Sequence, residues 1–234
     1  MTTTKAILLD IEGTTTPIAF VHDVLFTYAR EHVRDYLVQH ANEIDSDITQ
    51  LREEHARDTE DPPPLTNDIE SITTYVNWLI DRDRKSTGLK SLQGKIWRAG
   101  YKAGTLKSQV FDDVRPAFER WHSKGLRISI FSSGSVLAQQ LLFAHTETGD
   151  LTSFIGAYFD TTVGAKGDAE SYRRIASNLN LSAEEILFIS DVVTELEAAR
   201  EAGMQTRLSL RPGNQPQTDP DRFQIIHTLD EIET

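Results

Sequence analysis

The spacing of apolar positions changes twice along the chain. Ala6, Ile7, Leu8 and Leu9 form an unbroken apolar run that ends on Asp10, followed by Glu12, Gly13 and the hydroxyls of Thr14, Thr15 and Thr16. Such a run predicts a buried strand of a covered sheet, with its polar end at the sheet's carboxyl edge. From about 20 to 40 the period becomes helical, with Val21, Leu25, Tyr28, Ala29, Val33, Tyr36 and Leu37 separated by charged residues. A more polar helix is expected from Ile44 to about Arg57, before Asp61-Pro62-Pro63-Pro64 stops it. Helical spacing returns at 69–80, and again through Leu89, Leu92, Ile96 and Trp97 ahead of Gly100 and Gly104. No strand is expected between about 19 and 107.

From Asp112 strands and helices alternate. Helices are expected at 114–122, 136–145, 169–179 and 195–202, the last stopped by Gly203. Strands are expected at 127–131, 155–159, 186–189 and 205–210, then a turn at 211–214, a surface loop to about 222 and a short edge strand at 224–226. Repeated strand–helix units imply parallel pairing with right-handed crossovers. The expected class is therefore α/β: a Rossmannoid parallel sheet carrying an inserted helical domain. Residues 1–18 and 108–234 would make the α/β core and 19–107 the insert, with hinges near 16–19 and 105–112.

The chemistry-bearing residues fall at strand ends. Asp10 and Glu12, Ser132 and Ser133, and Asp191 each follow a predicted strand, and Lys166 lies in a loop ahead of a helix. In a parallel sheet these ends share one edge, where open α/β folds bind ligands. Singly, each residue has an ordinary role. Ser132-Ser133-Gly134-Ser135 caps a helix, Lys166 is a solvated lysine, Asp191 is an N-cap, and Glu195 favours a helix N-terminus. Asp160, closing the third strand, reads as structural. In order along one edge, they suit a phosphate ester held through a metal.

Composition narrows the partners. The hydrophobic share is 38% and the mean hydropathy −0.39, ordinary for a globular chain. No apolar run approaches the roughly 20 residues a membrane-spanning helix needs, and the first residues carry no signal-peptide pattern, so a cytoplasmic location is expected. There is no cysteine, which removes disulfides and thiolate metal sites. A net charge of −12 argues against nucleic acid and anionic membranes as partners. A small anionic substrate remains open if a cation is bound locally. Phosphate monoesters hydrolyse so slowly that enzymes supply up to ~10^21-fold. A carboxylate nucleophile divides the task through an aspartyl-phosphate and, with a reference pKa of about 3.9, needs no base. Its obstacle is repulsion: two like charges about 4 Å apart cost roughly 4 kcal/mol at an effective dielectric near 20. A divalent cation reverses that sign, and oxygen ligands without Cys or clustered His point to Mg²⁺.

The ordered set Asp-x-Glu-Gly-Thr-Thr (10–15), Ser-Ser-Gly-Ser (132–135), Gly-x-Lys-Gly (164–167) and Phe-Ile-Ser-Asp-x-x-x-Glu (188–195) resembles the haloacid dehalogenase superfamily of aspartate-nucleophile phosphatases. Residues 10–18, the stretch from Tyr158 to Gly167, and Arg211-Pro212-Gly213-Asn214 narrow the resemblance to its enolase-phosphatase family, over nearly the whole chain. The resemblance implies that the helical insert is the cap domain of that superfamily. It also implies a phosphorylated diketone substrate, 2,3-diketo-5-methylthiopentyl-1-phosphate of methionine salvage. That compound would be enolised and then hydrolysed to acireductone and phosphate. Asp10 would be nucleophile and Mg²⁺ ligand, Asp191 a second ligand, and Lys166 a neutraliser of nucleophile and phosphate. Ser132 and Ser133 would donate to the phosphate through hydroxyl and backbone N–H. Glu195 would be a partner of metal-bound water or a simple helix-start acid. Glu12 stands where the wider superfamily has Asp; its roles as leaving-group acid, in the enolisation or as metal ligand stay open, and the narrower family implies metal binding.

Other features read as structural. The seven histidines do not cluster, and His22 alone is a candidate for a cap contact with the site. Trp78, Trp97 and Trp121 lie on apolar helical stripes, and the acid-rich run 45–61 reads as a solvated face. No apolar stripe is left over, so a monomer is the default. The rivals are another Mg²⁺-dependent small-molecule phosphatase or phosphomutase on the same scaffold, and a binding module with a decayed site.

Overall fold

The computed structural model describes residues 3–233. These divide into two compact units, one made of the described residues up to 21 with those from 107 onward and the other of 22–106.

The larger unit is built on a six-stranded sheet. Its strands are β1 (Ala6–Leu9), β2 (Arg127–Phe131), β3 (Ile155–Phe159), β4 (Ile186–Ser190), β5 (Gln205–Ser209) and β6 (Ile225–Ile226). The order is β3-β2-β1-β4-β5-β6, and every pairing is parallel. β1 lies centrally, with Leu9 in register with Ile130 of β2 and Ile189 of β4. All four of its residues are fully buried, as expected of a strand covered on both faces. The unit's helices are α5 (Val114–Ser123), α6 (Val136–Ala144), α7 (Ala169–Asn178) and α8 (Val193–Glu201). Tyr172, Ile175, Leu196 and Ala199 of α7 and α8 pack against Leu8, Phe131 and Phe188 of the sheet.

The second unit contains α1 (Thr27–Gln39), α2 (Asp45–His55), α3 (Ile69–Ile80) and α4 (Thr87–Ala103). Asp68 caps α3 by accepting from Ser71 N (3.2 Å), and Ser86 caps α4 by accepting from Leu89 N (2.9 Å).

Several local readings change. Residues Phe20–Phe26, expected as α-helix, are wound as a π-helix ahead of α1. The last helix of the insert does not stop at Gly100. It runs to Ala103 and ends on Gly104 at φ +73°. Gly100 lies within it because a Cβ there would come 2.7 Å from the Tyr28 ring, so the missing side chain admits α1. The acid-rich run is only partly solvated. Asp47 is buried against Lys95 (2.5 Å), and Asp58 pairs with Arg84 (2.9 Å). Helix α8 begins at Val193 with Val192 as its cap residue, so Asp191 is not the N-cap.

Candidate active site

Asp10 leaves β1 at the middle of the sheet, and its N–H donates to Ile189 O of β4 (3.0 Å), holding the two strand ends side by side. The following loop closes on itself: Thr14, Thr15 and Thr16 N–H all donate to Ile11 O, and Gly13 N–H to Thr16 O. Gly13 sits at φ +68°, and a Cβ on it would run into the Asp191 carboxylate. Glycine is therefore required twice over, by backbone conformation and by the close approach of Asp191.

Lys166 reaches the same point from the loop before α7. Its Nζ lies 2.6 Å from Asp10 Oδ1 and 2.7 Å from Glu195 Oε2, with its side chain 10% exposed. The loop is held by Tyr172 Oη donating to Lys166 O (2.8 Å) and Ser171 Oγ to Ala165 O (2.7 Å). Ser190, the last residue of β4, donates through Oγ to Glu195 Oε2 (2.9 Å) and lies 3.4 Å from Asp10 Oδ2. Ile11 N–H gives Asp10 Oδ1 a second donor at 2.8 Å. Asp10, Lys166, Glu195, Ser190 and Asp191 thus form one buried group drawn from three separate chain segments.

The electrostatics of this group are unbalanced. Burial alone would lower the Lys166 pKa, but the facing carboxylates of Asp10 and Glu195 outweigh it and raise the ammonium above the ordinary lysine value. Asp191 is pushed up to about 7 by burial, then by Asp10 and Glu195. Burial and Asp10 also raise Glu195. One ammonium serves three carboxylates, and the excess negative charge calls for a further cation. The donor set is all oxygen, as a hard divalent ion prefers. Among the described residues no three Asp, Glu or His side chains converge into a ready metal cage. The side chains present would supply only part of a divalent ion's ligands.

The remaining expected residues lie as follows. Ser132 follows β2 and is buried; its N–H is already given to Phe159 O (3.2 Å) and its Oγ accepts from Gly134 N–H (3.1 Å). The expected backbone donor at Ser132 is therefore spent, leaving its hydroxyl hydrogen. Ser133 is half-buried beside it, and Gln139 Nε2 ties the loop by donating to Gly134 O (2.9 Å) and Phe159 O (2.8 Å). Glu12 is half-buried in the Asp10 loop, its backbone bridged to Thr16. Asp160 is structural: it accepts from Thr162 and from Val136 N–H at the start of α6 (3.4 Å). Ser190 and Tyr172 went unnoticed in the sequence. A hydroxyl as the last residue before Asp191 was a usable signal for the first; nothing local marks the second.

A parallel sheet with an acid–lysine group at its carboxyl edge defines an α/β fold whose candidate site lies where such folds bind ligands. The family of haloacid dehalogenase-like hydrolases matches residues 4–203. The chain is 54% identical over 230 residues to the enolase-phosphatase E1 of Synechococcus elongatus, covering 97% of this chain and 96% of the relative. It is 46% identical to the enolase-phosphatase E1 of Sorangium cellulosum, covering 97% of each. A crystal structure of the Unknown transcript 4 protein of Saccharomyces cerevisiae superposes with a TM-score of 0.82 at 33% identity, over 98% of this chain and all of that one. The chain belongs to the enolase-phosphatase E1 family of haloacid dehalogenase-like hydrolases.

Proposed function

We propose that this chain is an Mg²⁺-dependent enolase-phosphatase of methionine salvage. It enolises 2,3-diketo-5-methylthiopentyl-1-phosphate and hydrolyses the enol phosphate to acireductone and inorganic phosphate. The observation that carries the reading is the Lys166 ammonium held between Asp10 and Glu195 beside Asp191, in a chain 54% identical to an enolase-phosphatase.

Asp10 is the nucleophile. One of its oxygens bonds to phosphorus as the substrate's ester oxygen leaves, and water then cleaves the aspartyl-phosphate. Lys166 keeps Asp10 oriented and offsets the charge that gathers on the transferring group. Ser132 Oγ–H and Ser133 hold phosphate oxygens. Asp10 and Asp191 would hold the ion together with Glu12, whose main chain lies in the Asp10 loop, and Glu195, fixed by Lys166 and Ser190, would order its water. When bound, Mg²⁺ supplies neutralisation of the phosphate and polarisation of the diketone.

We propose residues 1–18 with 108–234 as the catalytic core and 19–107 as the substrate-choosing cap; the division near 21 and 107 and the all-helical middle segment support this. A cytoplasmic monomer acting on a small molecule completes the reading. No helix among the described residues is long and apolar enough to cross a membrane. Large exposed hydrophobics among them are confined to Val24 and Val38, which supports the monomer.

The test is incubation with the diketone phosphate and Mg²⁺. The expected result is an enol absorbance that grows before phosphate appears. Phosphate release without the enol would place the chain among other small-molecule phosphatases or phosphomutases. Failure to turn over any phosphate monoester would make it a binding module.

A further inference from the structure

The loop after β5, expected as a turn followed by a surface loop, ties down both acid-bearing loops. Arg211 is 7% exposed, and its guanidinium spans three chain segments. Nε donates to Thr14 O (3.2 Å), Nη1 donates to His227 O (2.7 Å), and Nη2 sits 2.8 Å from Asp113 Oδ2. Asn214 Nδ2 donates to Gly13 O (2.9 Å) and Ser209 O (3.1 Å). Gln217 Oε1 accepts from Val193 N–H (3.1 Å), the first residue of α8 and two beyond Asp191.

These contacts share a logic. The Asp10 loop satisfies its own amides by turning them inward onto Ile11 O and Thr16 O. The carbonyls of Gly13 and Thr14 are met instead by Asn214 and Arg211. The start of α8 has no side-chain cap from Val192, and Gln217 supplies an acceptor there. At Gly13 the two loops approach too closely for a side chain.

We propose that Arg211, Asn214 and Gln217 are positioning residues: a brace, anchored on Asp113, that sets the spacing between the Asp10 loop and the Asp191 loop. This rests on the reading of Asp10 as nucleophile and Asp191 as its partner acid. None of the three touches the reacting atoms. Each acts on main chain, so the expected effect falls on turnover rather than on substrate affinity. A displacement of about 1 Å at a reacting pair can cost ~100-fold in rate.

The test compares the wild type with Asn214→Ala and Gln217→Ala, which remove less packing than a change at Arg211. Amide hydrogen exchange is read first, on the free protein. Asn214→Ala should speed exchange at residues 13–16 by about tenfold or more, and Gln217→Ala should do so at Val193, while β2 and β3 keep wild-type rates. In phosphate release with Mg²⁺, Asn214→Ala should lower kcat by roughly ten- to 100-fold and Gln217→Ala by about three- to tenfold, with KM within about threefold. A general loss of stability would instead speed exchange throughout the sheet. Unchanged exchange at 13–16 and 193 overturns the brace. Faster exchange with unchanged kcat overturns its positioning role. Absence of phosphatase activity in the wild type overturns the functional reading instead, and the exchange pattern alone then decides the brace.

Discussion

Replacing Lys166 by Met keeps the unbranched side chain to within one atom of its length and removes its charge. The ammonium lies 2.6 Å from Asp10 Oδ1 and 2.7 Å from Glu195 Oε2, with the three side chains 10%, 6% and 13% exposed. At an effective dielectric near 20, each pair attracts by about 6 kcal/mol before desolvation is counted. Burial of the ammonium offsets much of this. Deleting one partner of a buried pair typically costs about 3–5 kcal/mol, because the remaining charge is left uncompensated. For a chain of 234 residues, that corresponds to a fall in Tm of roughly 6–20 °C at pH 7. The pH dependence identifies the cause. The lysine's folded pKa lies above its ordinary value, so its charge contributes fully below about pH 10 and is not lost between pH 5 and 8. Without it, Glu195 and Asp191, both already raised by burial and by Asp10, lose the Lys166 charge that opposes the rise, so folding favours their protonation more strongly. The variant's stability should then rise as pH falls from about 7 toward 4. Thermal unfolding in EDTA at pH 7 and pH 5 should show a smaller deficit at the lower pH. Phosphate release should fall by ~100- to 1,000-fold, as when one transition-state donor is lost. A Tm within about 2 °C of wild type at pH 7, or an equal deficit at both pH values, would refute the argument.

Asp10→Asn should abolish phosphate release while leaving the circular dichroism spectrum unchanged; steady turnover in that variant removes the covalent route. Chelation should stop phosphate release and Mg²⁺ restore it. With the ion at about 100 times its Kd, folding should gain about 2.7 kcal/mol, read as a rise in Tm that EDTA reverses. Gly13→Ala should lose both stability and activity, because a Cβ at φ +68° meets the Asp191 carboxylate; a folded variant with wild-type kcat would show that the two loops tolerate separation. Glu185, held at about 2 by Lys5 and Ser182, contributes stability that is complete above its ordinary pKa and lost as pH falls toward 2. Urea unfolding at pH 5 and pH 3 should therefore show a smaller acid loss in Glu185→Gln than in wild type.

Much of this architecture was legible in the order of residues. A run such as Ala6–Leu9, buried on both faces, has no alternation to hide, and the short turns between later strands and helices leave few topologies besides a parallel sheet. The gathering of Asp10 and Asp191 at one edge followed from their places at strand ends, since a parallel sheet sets all such ends on one side, and Lys166 joins them from the loop between β3 and α7. Details resting on close approach were not legible. Gly100 reads as a helix stop, yet it is where Tyr28 packs. Asp47 and Asp58 read as solvated acids, yet each is neutralised by a partner 48 or 26 residues away. Tyr172 and Arg211 carry no local mark of what they hold.

Hydrophobic period, breakers and the positions of polar residues relative to strands are properties of neighbours in the chain, and they were sufficient for the α/β class, the helical insertion and the candidate acids. Which donors remained free, which carboxylates shared a cation and which loop held the turn at Gly13 depended on atoms brought within 3 Å by folding. The reason is range: secondary structure answers to residues a few positions apart, whereas charge pairing and hydrogen-bond satisfaction in a buried site answer to whatever the tertiary fold places alongside.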